Sequence, residues 1–410
     1  MKIGIVGAGL GGLLAGALLS KNHKVVVFEK LPFLGGRFTN LEYEGFQLTT
    51  GALHMIPHGN DGYLAQALRK AGANVKIINS EPDGTFLING KEYLYKELFS
   101  LLGFKEKAKA FKLATKLKLG KVDKNISFGE FLEDIDLALK VGNAFTGWAL
   151  SLTAYETPMS EIIEIAKNYY KFGGPGIPIG GCKAVIDELS RIIKNNNGKI
   201  IKEYEVKSIE VEDEKAYIDD YEFDVVISNI SPVETQKICN IKFLKSKIKP
   251  SKGIKISIAT KEGIIKHGGV LFTPECERIN GLNQVTNVDK SLAPDGWHLV
   301  MTHQTQLTDN VKKEIDLGLE DIENLFKGKD YKILHIQSYR DDWPVNHASN
   351  GTDIDNIVND RFYLVGDGAK GRGGIEVEGI SMGVLKVVDY INSLNMKFKY
   401  EKGINRTTTK

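Results

Sequence analysis

"KIGIVGAGLGGLLAGALLSKNHKVVVFEKLPFLGGRF" spans Lys2 to Phe38, and its residue types dictate a local chain path. Ile3, Ile5 and Val6 form a short apolar strand that stops at Gly7, and a helix rich in Leu and Ala then runs through Ser20. Gly7 permits a tight turn, Gly9 lets the backbone approach a pyrophosphate, and Gly12 lets the helix pack closely on the strand. Leu10 and Gly11 open that helix, whose first amides would face the phosphates. A second apolar strand, Val25 to Phe28, ends in Glu29 and Lys30. At that position a carboxylate accepts both hydroxyls of an adenosine ribose and repels a 2′-phosphate. Strand, turn, helix, strand and acid in register predict a dinucleotide-binding βαβ unit that fits NAD and FAD equally.

A second glycine turn, Gly35-Gly36-Arg37, follows closely. It is either a surface turn with a solvated arginine or a site on the far side of a pyrophosphate, where a guanidinium gives bidentate hydrogen bonds. Near the other end, "RFYLVGDGAKGRGGIEVEGISMGVLKVVDYI" reads as a strand from Phe362 to Val365, then Gly366-Asp367, a glycine-rich loop, and a helix from near Gly379 to about Ile391. Asp367 can accept from a sugar-alcohol hydroxyl, and the positive helix end would stabilise a reduced flavin. Gly379 and Gly383, four apart, leave one helical face bare for close approach. Glu376 and Glu378 read as favourable acids at a helix start.

Taken together, these motifs resemble the FAD-dependent amine oxidase and phytoene desaturase superfamily over nearly the whole chain. Gly7, Gly9, Gly12 and Glu29 match its dinucleotide fingerprint, Gly35, Gly36 and Arg37 its GGR turn, and Gly366-Asp367 its C-terminal Gly-Asp motif. Glu378, Gly379 and Gly383 match its EG-x-x-x-G pattern. "GGPGIPIGGCKAVIDELSRII" resembles the desaturases' Pro-x-Gly-Gly-Met segment, with Cys182 in place of Met. The resemblance implies FAD, with the backbone around Val206 holding the adenine and a strand from Asp224 to Asn229 ending before Pro232. Gly51, Leu10, Gly11, Lys30, Asn229 and Ile380 join the expected FAD-binding set. The mid-chain position of Cys182 is wrong for covalent flavin attachment, so the flavin is expected to be noncovalent.

The implied fold class is α/β: a glutathione-reductase-like Rossmann domain for FAD, with an inserted α+β substrate domain of antiparallel sheet plus helices. Residues 1–70, 181–235 and 355–395 would form the FAD domain, 71–180 and 236–354 the substrate domain, and 396–410 a polar tail. Periodicity makes the first insertion mostly helical. In the second, strands are expected at Ile254–Ala259, Trp297–Gln304 and Ile333–Tyr339, with an amphipathic helix at Asp309–Phe326.

The length of 410 residues also favours two structural domains. With 54 basic and 52 acidic residues the net charge is +2, which gives no global pull toward nucleic acid, and none is expected as a partner. No apolar run reaches membrane-span length, and no basic leader precedes the first strand. The three scattered cysteines, Cys182, Cys239 and Cys276, form neither a disulfide framework nor a zinc pattern. A cytoplasmic location and no metal site are therefore expected. "FKEKAKAFKLATKLKLGK", Phe104 to Lys121, carries seven lysines and one acid among apolar residues. Such a basic amphipathic stretch is either a solvated helix face or a contact with a membrane surface.

Flavin chemistry asks little of side chains, because positioning of a carbon near N5 and exclusion of water can suffice. His54 follows the GGR turn and either orients a substrate or is structural; Tyr339 and Trp343 either wall a cavity or belong to the core. The expected function is hydride transfer between flavin and a lipophilic, possibly isoprenoid, substrate, with an external electron donor or acceptor. The alternatives are a flavin amine oxidase and a non-catalytic prenyl-binding protein.

Overall fold

A computed structural model describes residues 1–245, 247–347 and 354–407, with side chains to Leu394. A five-stranded parallel sheet runs in the order Phe362–Leu364, Val225–Ser228, Lys2–Val6, Lys24–Phe28, Lys199–Ile201. The motif-bearing strands 2–6, 225–228 and 362–364 lie side by side, so their carboxyl ends open at one edge. In open α/β sheets that edge is where ligands bind.

The helix Leu10–Ser20 is buried along its whole length, which explains why it has no polar face: it is wedged between the sheet, the helix Gly181–Asn195 and the C-terminal helix Val377–Thr407. Gly12 is needed there, because a Cβ would stand 2.1 Å from the Gly7 carbonyl oxygen. The opposite sheet face is covered by a small antiparallel sheet, Ile209–Val211, Ala216–Ile218 and Tyr221–Phe223, packed on Val6, Phe28 and Phe362.

A seven-stranded sheet has the order Tyr331–Tyr339, Gly253–Thr260, His298–Thr305, Gly281–Gln284, Val270–Phe272, Gly84–Ile88, Lys91–Leu94. Its neighbours are antiparallel except for the parallel pair formed by 84–88 and 270–272. Ile254, Ile256 and Ile258 pack beneath the helix Val311–Leu325, and the other face of the strand is buried as well.

The first insertion carries the expected helices from Leu98 onward, but its opening is strand: Ile77–Asn79 pairs with Gly176–Pro178, and 84–94 is a hairpin turning on Asn89-Gly90, both at positive φ. Asn-Gly between apolar runs is a hairpin signal that the helical periodicity of the rest of the insertion overrode. The C-terminal helix begins at Val377, near the expected Gly379, but one expectation is corrected at its other end: it continues to Thr407 rather than ending about Ile391. Positions 408–410 of the expected polar tail lie outside the described residues.

Candidate functional site

A cleft of about 510 Å³ lies over the carboxyl ends of the parallel strands. Fifteen of the seventeen expected cofactor residues line it; Gly12 and Gly379 do not. Gly379 instead holds the glycine-rich loop: its carbonyl accepts from Gly371 N at 3.0 Å, and a Cβ there would stand 2.6 Å from the Gly374 carbonyl oxygen.

At one end, Gly9 starts the helix in extended conformation and no side chain caps it, so the first amides keep their donors for an anion. Glu29 is buried, its two carboxylate oxygens accepting from Ala8 N at 2.7 Å and Leu31 N at 2.9 Å. Each oxygen retains acceptor capacity toward the cleft. Asn229 fills the gap between turns: a Cβ on Gly9 would stand 2.9 Å from its amide nitrogen, and one on Gly11 2.4 Å from its amide oxygen.

Nearer the middle, Arg37 donates to the carbonyls of Pro344 and Val345 at 2.8 and 2.9 Å and to Asp367 at 2.9 Å. Asp367 also accepts from the His347 backbone at 2.8 Å and lies 2.9 Å from its ring. Burial alone would raise the Asp367 carboxyl, but Arg37, His347 and these hydrogen bonds hold it well below the usual carboxylate range.

The far end is walled by Leu53, Met55, Val345, Tyr339 and Trp343. The buried Tyr339 hydroxyl donates to the Gly51 carbonyl oxygen at 2.5 Å, and burial raises its pKa well above the usual value. His54 lies outside the lining: its ring contacts the Gln47 carbonyl at 2.8 Å and Cys182 N at 3.3 Å. Burial lowers its pKa to about 4, so it is neutral near pH 7 and supports the turn behind the cleft.

The family model described as an NAD(P)-binding Rossmann-like domain matches residues 5–71. A crystal structure of an oxidoreductase from Methanosarcina mazei is 43% identical, with TM-score 0.89, covering 95% of this chain and 100% of that one. A Pyrococcus furiosus structure is 40% identical, with TM-score 0.82, covering 96% and 98%. An uncharacterized Methanocaldococcus jannaschii protein is 96% identical over 394 residues, covering 96% of this chain and 100% of the relative. Prolycopene isomerase of Daucus carota is 25% identical over 259 residues, 52% of this chain and 42% of that protein. A 4,4'-diapophytoene desaturase of Staphylococcus aureus is 44% identical over 59 residues, 14% of this chain and 12% of that protein. Putrescine oxidase shares the fold, at 15% identity and TM-score 0.71 over 95% of this chain and 99% of that one.

The chain is similar over nearly its whole length to the Methanosarcina mazei oxidoreductase, and it shares its fold with putrescine oxidase. Several side chains near the cleft do more than their place in the sequence indicates. Glu376 was read as a helix-start acid; it precedes the helix at φ 42 and lines the cleft, and its carboxylate makes no hydrogen bond among the described residues. Burial, opposed by Lys370 and Arg37, raises its pKa to about 7. Glu378 is also more than a local acid, since its carboxylate accepts from Tyr63 N at 2.5 Å and Leu64 N at 3.3 Å and so caps the otherwise uncapped helix Tyr63–Ala71.

Lys255 is fully buried on the strand next to the edge of the seven-stranded sheet, between His303 and Gln337 on the adjoining strands. Its ammonium donates to the Gly51 carbonyl at 2.8 Å and to that of Thr49, and burial lowers its pKa to about 7. A lysine among the alternating isoleucines of "GIKISIAT" was the available signal. Cys182 is buried, its pKa raised by burial, and it is absent from the cleft lining.

Proposed function

We propose that the protein binds FAD noncovalently and transfers hydride between flavin N5 and a lipophilic, possibly isoprenoid, substrate, as a phytoene desaturase-like enzyme. The observation that carries this reading is the similarity to a prolycopene isomerase and a 4,4'-diapophytoene desaturase, since prolycopene and 4,4'-diapophytoene are long apolar hydrocarbons. The apolar wall of Leu53, Met55 and Val345 is compatible with such a molecule. When bound, FAD supplies the hydride acceptor or donor.

In this reading Glu29 receives the adenosine ribose, the uncapped start of helix 10–20 and Arg37 receive the pyrophosphate, and Asp367 receives the ribityl chain. Val206 and its neighbours hold the adenine. Tyr339 and Trp343 border the substrate end, Lys255 and Tyr339 fix the Gly51 turn against it, and close packing there excludes water. An external molecule or protein supplies or removes electrons. The domain division, 1–70, 181–235 and 355–395 against 71–180 and 236–354, belongs to the same proposal. So do a cytoplasmic location and peripheral contact with a membrane through Phe104–Lys121. Among the described residues no helix is long and apolar enough to cross a membrane.

A second reading, amine oxidation, is favoured by Glu376, a carboxyl in the cleft that would pair with a cationic amine. The non-catalytic reading has no support from the motifs, since the GGR and Gly-Asp residues are intact. Anaerobic titration of the flavin's visible band decides between the two enzyme readings. Bleaching by an apolar polyene or isoprenoid lipid, and not by amines, is expected. Bleaching by an amine alone would replace the first reading with the second.

A further inference from the structure

The helix Phe104–Lys118 buries none of its side chains fully. Glu106, Lys107, Ala110 and Leu113 are half-buried and recur at helical spacing, which marks the side turned toward the protein. On the opposite side Phe104, Ala108, Phe111 and Thr115 recur in the same way and are all exposed, Phe104 by 90% and Phe111 by 72%. Leu119, just past the helix, is 61% exposed. An ordinary surface helix keeps its large apolar side chains inward; this one turns Ala110 and Leu113 inward but presents two phenyl rings to water.

Lysines frame the stripe. Lys105, Lys109, Lys112 and Lys116 follow one flank, and Lys118 the other, with the half-buried Lys107 at its inner edge. Glu106, the only acid, is spent on the helix start, where it accepts from Gly103 N at 2.9 Å. Lys109 pairs with Asp134, whereas Lys105, Lys112, Lys116 and Lys118 make no ion pair among the described residues. Lys107 lies 5.9 Å above the ring of the exposed Phe99, which extends the apolar surface beyond the helix. A nucleic acid would satisfy the ammonium groups but leave both phenyl rings in water. An anionic lipid surface satisfies both, because rings enter the headgroup boundary while lysine heads remain among the phosphates.

We propose that this helix docks the protein flat on an anionic membrane surface, with Phe104 and Phe111 inserted and the flanking lysines on lipid headgroups. This deepens the lipophilic-substrate reading and rests on it for its purpose alone, since docking needs no turnover.

The test is co-sedimentation of the full, flavin-loaded chain with vesicles of phosphatidylcholine, with or without phosphatidylglycerol. Binding to the phosphatidylglycerol vesicles alone is expected, weakened about tenfold or more in F104S/F111S and in K112E/K116E, and reduced by added salt. All four positions are exposed, and an unchanged flavin band and far-UV circular dichroism show that the variants are folded. As a second readout, the tryptophan in F111W shifts its emission to the blue on phosphatidylglycerol vesicles. Failure to bind those vesicles, or binding that F104S/F111S leaves unchanged, overturns the proposal. Preferential binding of duplex DNA by the same lysines does so too. None of these outcomes bears on flavin reduction, so the docking surface and the substrate reading fail separately.

Discussion

The ammonium of Lys255 stands 2.8 Å from the carbonyl oxygen of Gly51, which also accepts from the hydroxyl of Tyr339 at 2.5 Å. A cleft-lining turn is thereby tied to two strands of the seven-stranded sheet. The link places a titratable group where water cannot solvate its charge, and burial lowers its pKa from 10.5 to about 7. In the unfolded chain the lysine stays protonated up to its ordinary pKa. Between about pH 7 and 10.5 the unfolded state therefore binds more protons, and this residue's contribution to stability improves as pH rises, by about 1.4 kcal/mol per pH unit at most. The Tm difference between wild type and Lys255→Met should move in favour of wild type across that window. Parallel Tm curves would show that the lysine is not held in this state.

The Arg37–Asp367 pair makes a second prediction. Its side chains are only 21% and 12% exposed, so removing one partner strands the other in a poorly solvated place. Arg37→Ala should cost about 3 kcal/mol of stability, at the low end for a broken buried pair, and should weaken flavin retention. The folded Asp367 pKa is depressed below 3.8, so its stabilisation is present above the ordinary carboxylate pKa and is lost as pH falls below it. Urea midpoints of wild type and Asp367→Asn should therefore converge on acidification. A gap that stays constant down to the acid limit would contradict this account.

Much of this site was legible because it depends on short-range backbone geometry. Gly7 at φ 93, Gly12 against the Gly7 carbonyl, and Glu29 at the end of the second strand are requirements of one strand-turn-helix-strand unit, so neighbours in sequence encode them. Lys255 and His347 were not legible in this way, since each is defined by a partner far along the chain: Gly51 for the first, Arg37 and Asp367 for the second. Glu378 was visible as an acid in a helix's first turn, yet its work is done on Tyr63 and Leu64, more than 300 positions away. Local pattern gives such a residue a local meaning, and tertiary contact gives it another.

Glu29 supplies a third prediction, which separates its two duties. Its carboxylate holds the turn through Ala8 N and Leu31 N while facing the cleft. Glu29→Gln keeps an acceptor for one amide but offers the other a donor, and it loses the charge-assisted bonds to a ribose. Affinity for FAD should fall about ten- to a hundredfold, read by fluorescence on reconstitution of the apoprotein. The fall should exceed that for FMN, which lacks the adenosine ribose. Equal losses for the two flavins would place Glu29 in the fold alone.

Glu376 is the residue through which pH should reach the cofactor. Its carboxyl lines the cleft among Lys370, Arg37 and Asp367, on a backbone held at φ 42, and its pKa is raised to about 7 chiefly by burial. Because the folded pKa lies above the ordinary 4.5, the folded state keeps a proton that the unfolded chain has already released between those values. The residue's contribution to stability is thus complete at low pH and declines as pH rises from about 4.5 to about 7. Above that range an added negative charge stands in the cleft, where it disfavours an anionic reduced flavin. Spectroelectrochemistry of the flavin-loaded protein should show the midpoint potential falling more steeply with pH through this region than in Glu376→Gln. The same variant should gain Tm relative to wild type above about pH 7 and lose that gain in acid. If the variant leaves the pH dependence of the potential unchanged but alters Tm as described, Glu376 titrates without sensing the flavin, and its role is confined to the fold.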